Sequence, residues 1–465
     1  MNRLAKRAWF ALVLAAVLVA GMVTITVRYV TQASEWVGFR SNSAVQTGGA
    51  LSTYCVVARD GTQVLNTDGG MNYAEDAALR SSLLHLLGDG GNVVSYVTEA
   101  YGEKLSGYSM VNGVYGADGR AQMELTVSPT VQTAAYSAMQ GKKGVVGVYN
   151  YQTGEILCML SMPTYDPENP PESIYTTDEN GNSVVKDEYD SVYFNRFIWS
   201  TYTPGSTFKL VTAAAALERI EDVENRSFTC TGSVEIDGTT VNCHNHEGHG
   251  TLTLKQALAK SCNVAFAELA DELGAEILTE YAEKTGITRS ISFDGLQTRA
   301  GSFDLSGADD YAVAWSGIGQ YEDQVNPCQI MTLVGAIANG GKAATPYVVE
   351  RVTCGGKTEY EARTQMGERI LPKSTASSLA EMMEYAVTTN YSAYGTFAGL
   401  ITGGKSGTAQ RDDGSSDALY VGFSSDPDYP LAFVVIIEGG GSGSGACLPV
   451  VQQVLNACVV AMDHE

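Results

Sequence analysis

Apolar and polar positions alternate along the chain in stretches that predict different elements. Four apolar runs are typical of strands. Two of them, 144–150 and 155–161, precede a mainly helical stretch, and two, 418–423 and 431–437, follow it. The first two enclose a polar turn and predict a hairpin. The helical stretch covers residues 206–273, and an apolar-rich final helix is expected over 448–462. Strands at both ends with helices between them predict an α+β domain whose sheet is built from both termini.

The N-terminal segment has the pattern of a membrane anchor. Basic Arg3, Lys6 and Arg7 precede an uncharged run over residues 8–27 that is about as long as a membrane-crossing helix. The charge bias places the N-terminus in the cytoplasm and the remainder outside. A cleaved signal peptide is the competing interpretation, but its apolar region is usually shorter. We therefore expect a single-pass membrane protein whose remaining residues lie outside the cytoplasm.

The same pattern suggests four segments, and composition limits what they can do. We predict a cytoplasmic tail (1–7), a transmembrane anchor (8–28), a mixed region (29–125) and a larger C-terminal domain (126–465). The 465 residues are 44% hydrophobic and 17% charged, which excludes wholesale disorder. The net charge of −23 argues against nucleic-acid binding, since Lys and Arg make phosphate contacts. Nine cysteines are an odd number, so at least one is unpaired or pairs between chains.

A Ser-x-x-Lys motif is the first candidate for chemistry. Ser206 follows Pro204 and Gly205 at a predicted helix start, and Lys209 lies on the same face. Backbone N–H groups at a helix N-terminus can stabilise an oxyanion, and a buried lysine of lowered pKa can accept the serine proton. A capping serine beside a solvated lysine is the plain alternative.

Two further polar motifs follow in order along the chain. Ser261-Cys262-Asn263 interrupts two helical runs and can present a hydroxyl and an amide, although both residues also serve as helix caps. Lys405-Ser406-Gly407-Thr408 precedes the late strands. As an edge strand it offers a cation, two hydroxyls and free N–H groups for a substrate carboxylate and an oxyanion. Its alternative is a surface strand that carries a lysine.

This ordered trio resembles the motif set of penicillin-binding proteins and class A β-lactamases. The chain closely resembles a class B penicillin-binding protein, a membrane-anchored peptidoglycan D,D-transpeptidase, over most of its length after Thr126. Supporting segments are 154–167, 195–196, 248–250, 317–320, 326–329 and 419–423. The implied fold of residues 126–465 is a catalytic penicillin-binding/β-lactamase-like domain, an antiparallel sheet flanked by helices with a helical subdomain. The resemblance also implies a non-catalytic pedestal domain for residues 29–125 and a location in the bacterial cell membrane, with the catalytic domain extracytoplasmic.

The resemblance also implies the roles of the motif residues. Ser206 is the acyl-accepting nucleophile, Lys209 its general base, Ser261 a proton relay, and Asn263 an orienting group. Lys405, Ser406, Gly407 and Thr408 bind the donor peptide, and the N–H groups of Ser206 and Thr408 form the oxyanion hole. The implied partners are stem peptides, β-lactams and a membrane peptidoglycan glycosyltransferase, and no cofactor is expected. A carboxypeptidase or β-lactamase, or a β-lactam sensor or inactive scaffold, remains an alternative.

Three other sequence patterns suggest different functional sites. Residues 399–406 match the Walker A pattern, but we expect strand and turn after them rather than the helix that a P-loop needs. Glu322 and Asn326 resemble the deacylation motif of class A β-lactamases, and we interpret them as a structural loop. Three histidines lie within residues 243–249, but no second cluster completes a metal site, so we predict none. Instead we predict a disulfide between Cys230 and Cys243, which flank an Asp237-Gly238 turn.

Overall fold

The computed structural model describes most of the chain. The described residues are 2–37, 53–93, 95–105, 108–109, 113–114, 121–178, 181–391, 397–411 and 413–464. Parts of the predicted pedestal, including residues 38–52 and 115–120, lie outside them.

The described residues form thirteen α-helices and twenty-one strands, labelled here in chain order. The helices are α1 (Asn2–Val37), α2 (Ala77–Ser82), α3 (Leu84–Leu87), α4 (Tyr96–Leu105), α5 (Pro129–Ala138), α6 (Arg196–Trp199), α7 (Lys209–Arg219), α8 (Leu254–Ala259), α9 (Asn263–Lys284), α10 (Asp310–Gly317), α11 (Pro327–Ala338), α12 (Lys373–Asn390) and α13 (Gly443–His464). The strands are β1 (Tyr54–Val57), β2 (Gln63–Asn66), β3 (Asn72–Tyr73), β4 (Tyr108–Ser109), β5 (Gly113–Val114), β6 (Ala121–Leu125), β7 (Gly144–Asn150), β8 (Ile156–Met162), β9 (Tyr175–Thr177), β10 (Ser183–Val185), β11 (Ser227–Cys230), β12 (Ser233–Ile236), β13 (Thr239–Asn242), β14 (Gly250–Thr253), β15 (Ser292–Phe293), β16 (Leu296–Gln297), β17 (Val349–Cys354), β18 (Lys357–Glu361), β19 (Thr402–Gln410), β20 (Ser416–Ser424) and β21 (Leu431–Ile437).

A five-stranded antiparallel sheet organises the C-terminal part of the chain. Its order is β19-β20-β21-β7-β8, so the predicted α+β sheet from both ends of the region is confirmed. Every residue of β7, β8 and β21 is buried because helices cover both faces. Val146 packs with α5 and α13 on one face, while Val145 packs in the core that contains α11 on the other. Strand β19 remains at the edge.

A second sheet of six strands lies in the N-terminal part and also takes strands from late in the chain. Its order is β18-β17-β6-β1-β2-β3, with β17 pairing antiparallel to β6. Strands β17 and β18 therefore belong to the same sheet as β1 to β3 and β6. The predicted boundary near Thr126 stays a prediction, because the chain returns to this sheet after it has begun the catalytic one.

The prediction of a mainly helical stretch over residues 206–273 was wrong in its middle. Strands β11 to β14 occupy part of residues 227–253, as two small antiparallel pairs. Each is only four residues long and carries few large apolar side chains, so hydrophobic periodicity was a weak signal there. The predicted turn at Asp237-Gly238 is present, with Ile236 opposite Thr239.

The N-terminal helix is apolar and exposed over residues 5–31. Residues Ala5–Gln32 are long and apolar enough to cross a membrane, and none of the tested window is buried inside the molecule. A signal sequence has the same properties, so this finding supports membrane targeting in general. Helix α13 also has sufficient length and hydropathy, but its Cys447, Val451, Leu455 and Cys458 pack in the core beside the sheet.

Candidate active site

The candidate nucleophile lies on a short turn that leads into a buried helix. Ser206 is the middle residue of a 3-10 turn, Gly205–Thr207, and Lys209 begins α7. Thr207 is buried and its hydroxyl donates to the Pro204 carbonyl at 2.7 Å, which closes the turn. Ser206 itself is half-buried, so its side chain stays accessible while the residues around it are packed.

Lys209 connects the first motif to the second. Its Nζ donates to Asn263 Oδ1 at 2.7 Å, to the Ser261 carbonyl at 2.8 Å and to Ser261 Oγ at 3.3 Å. These acceptors are neutral, and the Lys209 side chain is completely buried. Burial lowers the pKa of Lys209 to about 7, because the charged form loses hydration that no carboxylate replaces.

Lys405 reaches the same serine from the opposite side. Its Nζ donates to Ser261 Oγ at 3.0 Å and to the Ser406 carbonyl at 2.8 Å. Burial, and secondarily the charge of Lys209, lower the pKa of Lys405 well below its usual value. The Ser261 hydroxyl therefore lies between two buried amines, which is the geometry of a group that passes a proton from one to another.

The Ser261 backbone has a strained conformation. Its φ is +52°, in the left-handed region that a residue with a Cβ rarely adopts. This conformation turns the Ser261 carbonyl towards Lys209 between the end of α8 and the start of α9. Strain of this kind persists only where neighbouring structure enforces it. Here Asn263 Nδ2 donates to the Asn242 carbonyl at 3.0 Å and anchors the turn.

Glycines let the Ser206 turn approach strand β19 closely. A Cβ on Gly205 would lie 2.6 Å from the Thr408 carbonyl oxygen, and one on Gly407 would lie 2.8 Å from the Pro204 carbonyl oxygen. Gly205 also has a φ of +51°. On the other side, Gly205 N donates to the Gly319 carbonyl at 2.8 Å, so the turn is held between β19 and the loop after α10.

Alternate N–H groups of β19 point away from β20, at the edge of the sheet. Ser406 N donates to Tyr391 Oη at 3.4 Å and Gln410 N donates to Gln320 Oε1 at 3.4 Å, both away from β20. By the two-residue period of a strand, the N–H of Thr408 points the same way. Neither Ser206 N nor Thr408 N donates to a loop or side-chain acceptor among the described residues. The N–H groups of Ser206 and Thr408 therefore stay candidates for the predicted oxyanion hole.

Two polar residues that the sequence reasoning did not assign also contact β19. Tyr391 is buried, and its hydroxyl lies 2.8 Å from Ser406 Oγ. Gln320 Nε2 donates to the Thr408 carbonyl at 2.6 Å. Gln320 ends the segment 317–320 that was among the motif-like sequences, which was the available signal. Nothing in the sequence around Tyr391 indicates that it reaches a strand residue further along the chain.

The Walker A interpretation and the deacylation interpretation both lack structural support. Lys405 and Ser406 lie in the middle of β19, not at the start of a helix. Glu322 is exposed, whereas Asn326 is buried and caps α11. Asn326 Nδ2 also donates to the carbonyls of Ile198 and Ser200, both at 2.9 Å. The loop is structural, as expected.

The predicted disulfide between Cys230 and Cys243 was wrong, because both cysteines are free. They instead belong to a buried group that includes His249 and Cys262, with one ligand atom from each residue within 4.8 Å of the others. Sequence reasoning found no second cluster beside the histidine-rich segment, but folding brings Cys230 and Cys262 next to Cys243 and His249 from positions that are distant in sequence. The prediction that no metal binds stays a prediction.

Comparisons with known proteins agree with this architecture. The family model described as "Penicillin binding protein transpeptidase domain" matches residues 144–457. The peptidoglycan D,D-transpeptidase PbpA of Mycolicibacterium smegmatis is 30% identical over 398 residues, which cover 82% of this chain and 77% of that protein. The chain belongs to the penicillin-binding protein transpeptidase family. The predicted family is thereby confirmed.

Solved structures show the same fold for this transpeptidase. The D,D-transpeptidase domain of a peptidoglycan glycosyltransferase from Eggerthella lenta has a TM-score of 0.73 at 26% identity, covering 89% of this chain and 99% of that one. Penicillin-binding protein A from M. tuberculosis, as a ceftriaxone acyl-enzyme complex, has a TM-score of 0.75 at 22% identity and covers 88% of this chain and 99% of that one. The transpeptidase fold predicted from the motifs is confirmed.

Proposed function

We propose that this chain is a serine-type peptidoglycan D,D-transpeptidase that works through an acyl-enzyme on Ser206. The observation that carries the proposal is the hydrogen-bond network of Lys209, Ser261, Asn263 and Lys405. It joins all three motifs around one hydroxyl, with one amine whose pKa lies near neutrality. Such an amine is suited to accept a proton from a serine at physiological pH.

In the proposed acylation, Ser206 Oγ attacks the carbonyl carbon before the terminal D-Ala of a donor stem peptide. Lys209 takes the hydroxyl proton, and the N–H groups of Ser206 and Thr408 stabilise the oxyanion. The C–N bond then breaks, and the leaving amine receives a proton that Ser261 relays from the lysine pair. In the second half, an amine of a neighbouring stem peptide attacks the ester, forms the cross-link and returns Oγ to its protonated state.

Lys405, Ser406 and Thr408 have the proposed role of holding the donor peptide along the edge of β19. Antiparallel addition of an extended peptide would use edge groups of β19 that β20 leaves unpaired. The N–H of Thr408 is the proposed donor among them, whereas the Thr408 carbonyl is bonded to Gln320. Gly407 keeps the strand close to the turn that carries Ser206. The donor carbonyl would thereby lie beside both the nucleophile and the two N–H donors.

The membrane context completes the proposal. We place α1 across the membrane as a single span, with the N-terminus in the cytoplasm and the catalytic domain outside, where cross-linking takes place. A membrane peptidoglycan glycosyltransferase is the proposed partner. The Eggerthella lenta protein, a peptidoglycan glycosyltransferase with a D,D-transpeptidase domain, supports this association of activities.

Reaction with benzylpenicillin tests the assignment. Intact mass of the full chain in detergent micelles, followed over time, should show one long-lived covalent adduct in the wild type and none in Ser206→Ala. An adduct that clears while the drug is consumed would indicate a β-lactamase. An adduct that persists in a chain unable to cross-link or trim stem peptides would indicate a sensor, and the same adduct in Ser206→Ala would overturn the nucleophile assignment.

A further inference from the structure

Four potential metal ligands converge beneath the second motif from four separate segments. Cys230 ends β11, Cys243 follows β13, His249 precedes β14, and Cys262 caps the start of α9. One ligand atom of each residue lies within 4.8 Å of the other three. The three cysteines are at most 2% exposed, and His249 is half-buried. None of the four has a role in the proposed acylation.

The spacing of these atoms suits a tetrahedral metal ion. With Zn–S bonds of about 2.3 Å and Zn–N bonds of about 2.0 Å, tetrahedral ligand atoms lie roughly 3.4 to 3.8 Å apart. The observed separation of Cys243 Sγ and His249 Nδ1 is 3.5 Å. We propose that Cys230, Cys243, His249 and Cys262 form a closed structural site for a divalent zinc ion. The site is full with four protein ligands, so zinc there would hold structure rather than activate water.

The donor chemistry selects zinc over the other common divalent ions. Thiolate and imidazole ligands favour zinc, whereas Mg²⁺ and Ca²⁺ prefer oxygen ligands. Binding would displace the thiol protons, so that up to three protons are released as three Zn–S bonds form, while neutral His249 gives an electron pair. No change of oxidation state is involved.

The loops around the four ligands are already folded tightly together. A Cβ on Gly248 would lie 2.4 Å from the Cys230 carbonyl oxygen, and one on Gly232 would lie 2.1 Å from the His246 carbonyl oxygen. Both glycines have positive φ, at +83° and +107°. Cys243 N donates to the Gly232 carbonyl at 2.9 Å, which fixes the two loops against each other. The backbone contacts between these loops therefore fix the positions of the four ligand residues.

A metal at this position would hold the active-site turn. Cys262 lies between Ser261 and Asn263, and Asn263 also bonds to the Asn242 carbonyl next to Cys243. Zinc would join the β13 loop to the start of α9 and so keep the strained Ser261 facing Lys209. This consequence for acylation rests on the proposed function, but the metal binding itself does not.

Metal analysis of the full chain, purified in detergent under reducing conditions, tests the site. We expect about one zinc per chain that survives dialysis, and Co²⁺ substitution should give the absorption of a tetrahedral thiolate complex. Cys230→Ser and His249→Ala should lose it. His244→Ala is the matched control, since His244 is exposed and lies outside the group of four, although its Nδ1 is 4.0 Å from Cys243 Sγ. This control should retain the metal.

Zinc binding by the wild-type chain tests the proposal even if the ligand variants fold poorly. After stripping with a chelator, the reduced chain should regain about one equivalent of zinc, with a melting temperature raised by at least about 5 °C. A wild type that binds no zinc would overturn the proposal, as would zinc retained in both ligand variants. A Cys230–Cys243 disulfide in the reduced preparation would overturn it too. Loss of zinc with unchanged benzylpenicillin acylation would separate the metal site from catalysis.

Discussion

Lys209 is a single residue whose environment determines its chemistry. It is fully buried, and its Nζ donates only to neutral acceptors in Ser261 and Asn263 among the described residues. Since burial lowers its pKa to about 7, the amine is increasingly neutral above that pH and can accept the Ser206 proton. We predict that the second-order rate constant of benzylpenicillin acylation rises as pH increases from 5.5 to 8.5, with a midpoint near 7. The rate is measured by quenching the reaction at set times and determining the intact mass of the protein.

The substitution Lys209→Arg separates the base from the charge. A guanidinium stays protonated throughout this range, so the variant should lose about 10²- to 10⁴-fold in rate together with the rise near pH 7. Lys357→Arg is the control, since Lys357 is an exposed residue of β18 in the other sheet. A wild-type profile that is flat from pH 6 to 8 would contradict the assignment of Lys209 as the base.

At the same scale, sequence reasoning found residues that belong to ordered motifs and missed those that act alone. Ser206, Lys209, Ser261 and Lys405 could be singled out because short spacing and order along the chain mark them. The Tyr391 contact with Ser406 depends on how α12 packs against β19. The four ligands of the proposed metal site are likewise joined only by folding, so the local histidine spacing looked incomplete.

At the scale of elements, the site depends on close contact between the Ser206 turn, strand β19 and the loop after α10. Gly319 has a φ of +78°, and a Cβ there would lie 2.1 Å from the Gly205 carbonyl oxygen. Gly319→Ala should push the turn away from β19 and misalign the two oxyanion donors. We predict a fall of about 10²-fold in the acylation rate by benzylpenicillin, because a shift of about 1 Å can have that effect.

Gly307→Ala is a control matched in backbone conformation. Gly307 has a φ of +79°, and an added Cβ there would meet no atom within 4 Å. Gly307→Ala should lose about 1 to 2 kcal/mol in the free energy of unfolding from the left-handed conformation, and Gly319→Ala should lose at least as much because its Cβ also meets the Gly205 carbonyl oxygen. Only Gly319→Ala should lose acylation rate. Equal rate losses would show that strain in general, and not contact with Gly205, controls the site.

The elements themselves were predictable to the extent that burial left a clear pattern. Strands β7 and β21 lie between helices on both faces, so their sequences are continuous apolar runs, and the predicted bounds 144–150 and 431–437 agree with the structure. Strands β11 to β14 are short and half-exposed, and they interrupt a region that is otherwise rich in helix formers. They pack against α8, α9 and α10, and local pattern does not encode these contacts.

At the scale of the whole molecule, buried carboxyl groups couple stability to pH. Asp323 lies in the loop between α10 and α11, where Ser316 Oγ donates to its Oδ1 at 2.7 Å and its Oδ2 is buried without a hydrogen-bond partner among the described residues. Burial raises the pKa of Asp323 to about 7 and that of Asp294 to about 6. Between about pH 4 and 7 the unfolded chain ionises these groups while the folded chain retains their protons. Folding stability should therefore fall as pH rises through this window.

Asp323→Asn removes one of the two titrations while keeping a side chain of the same shape that can accept from Ser316. The free energy of unfolding in urea, measured at intervals from pH 4.5 to 7.5, should decline less steeply in this variant, by up to about 1.4 kcal/mol per pH unit. Glu322→Gln removes the adjacent exposed carboxyl, which contributes least to the raised pKa of Asp323, and should leave the slope nearly unchanged. Below pH 4 the pH dependence of stability has the opposite sign, and the folded state loses stability as pH falls. A hydrogen bond from Arg80 lowers the pKa of Asp166 to about 2, and protonating Asp166 removes that stabilisation. If Asp323→Asn and Glu322→Gln had the same slope as the wild type, Asp323 would be ionised in the folded protein, and its loop would have to open to water near the Ser206 turn.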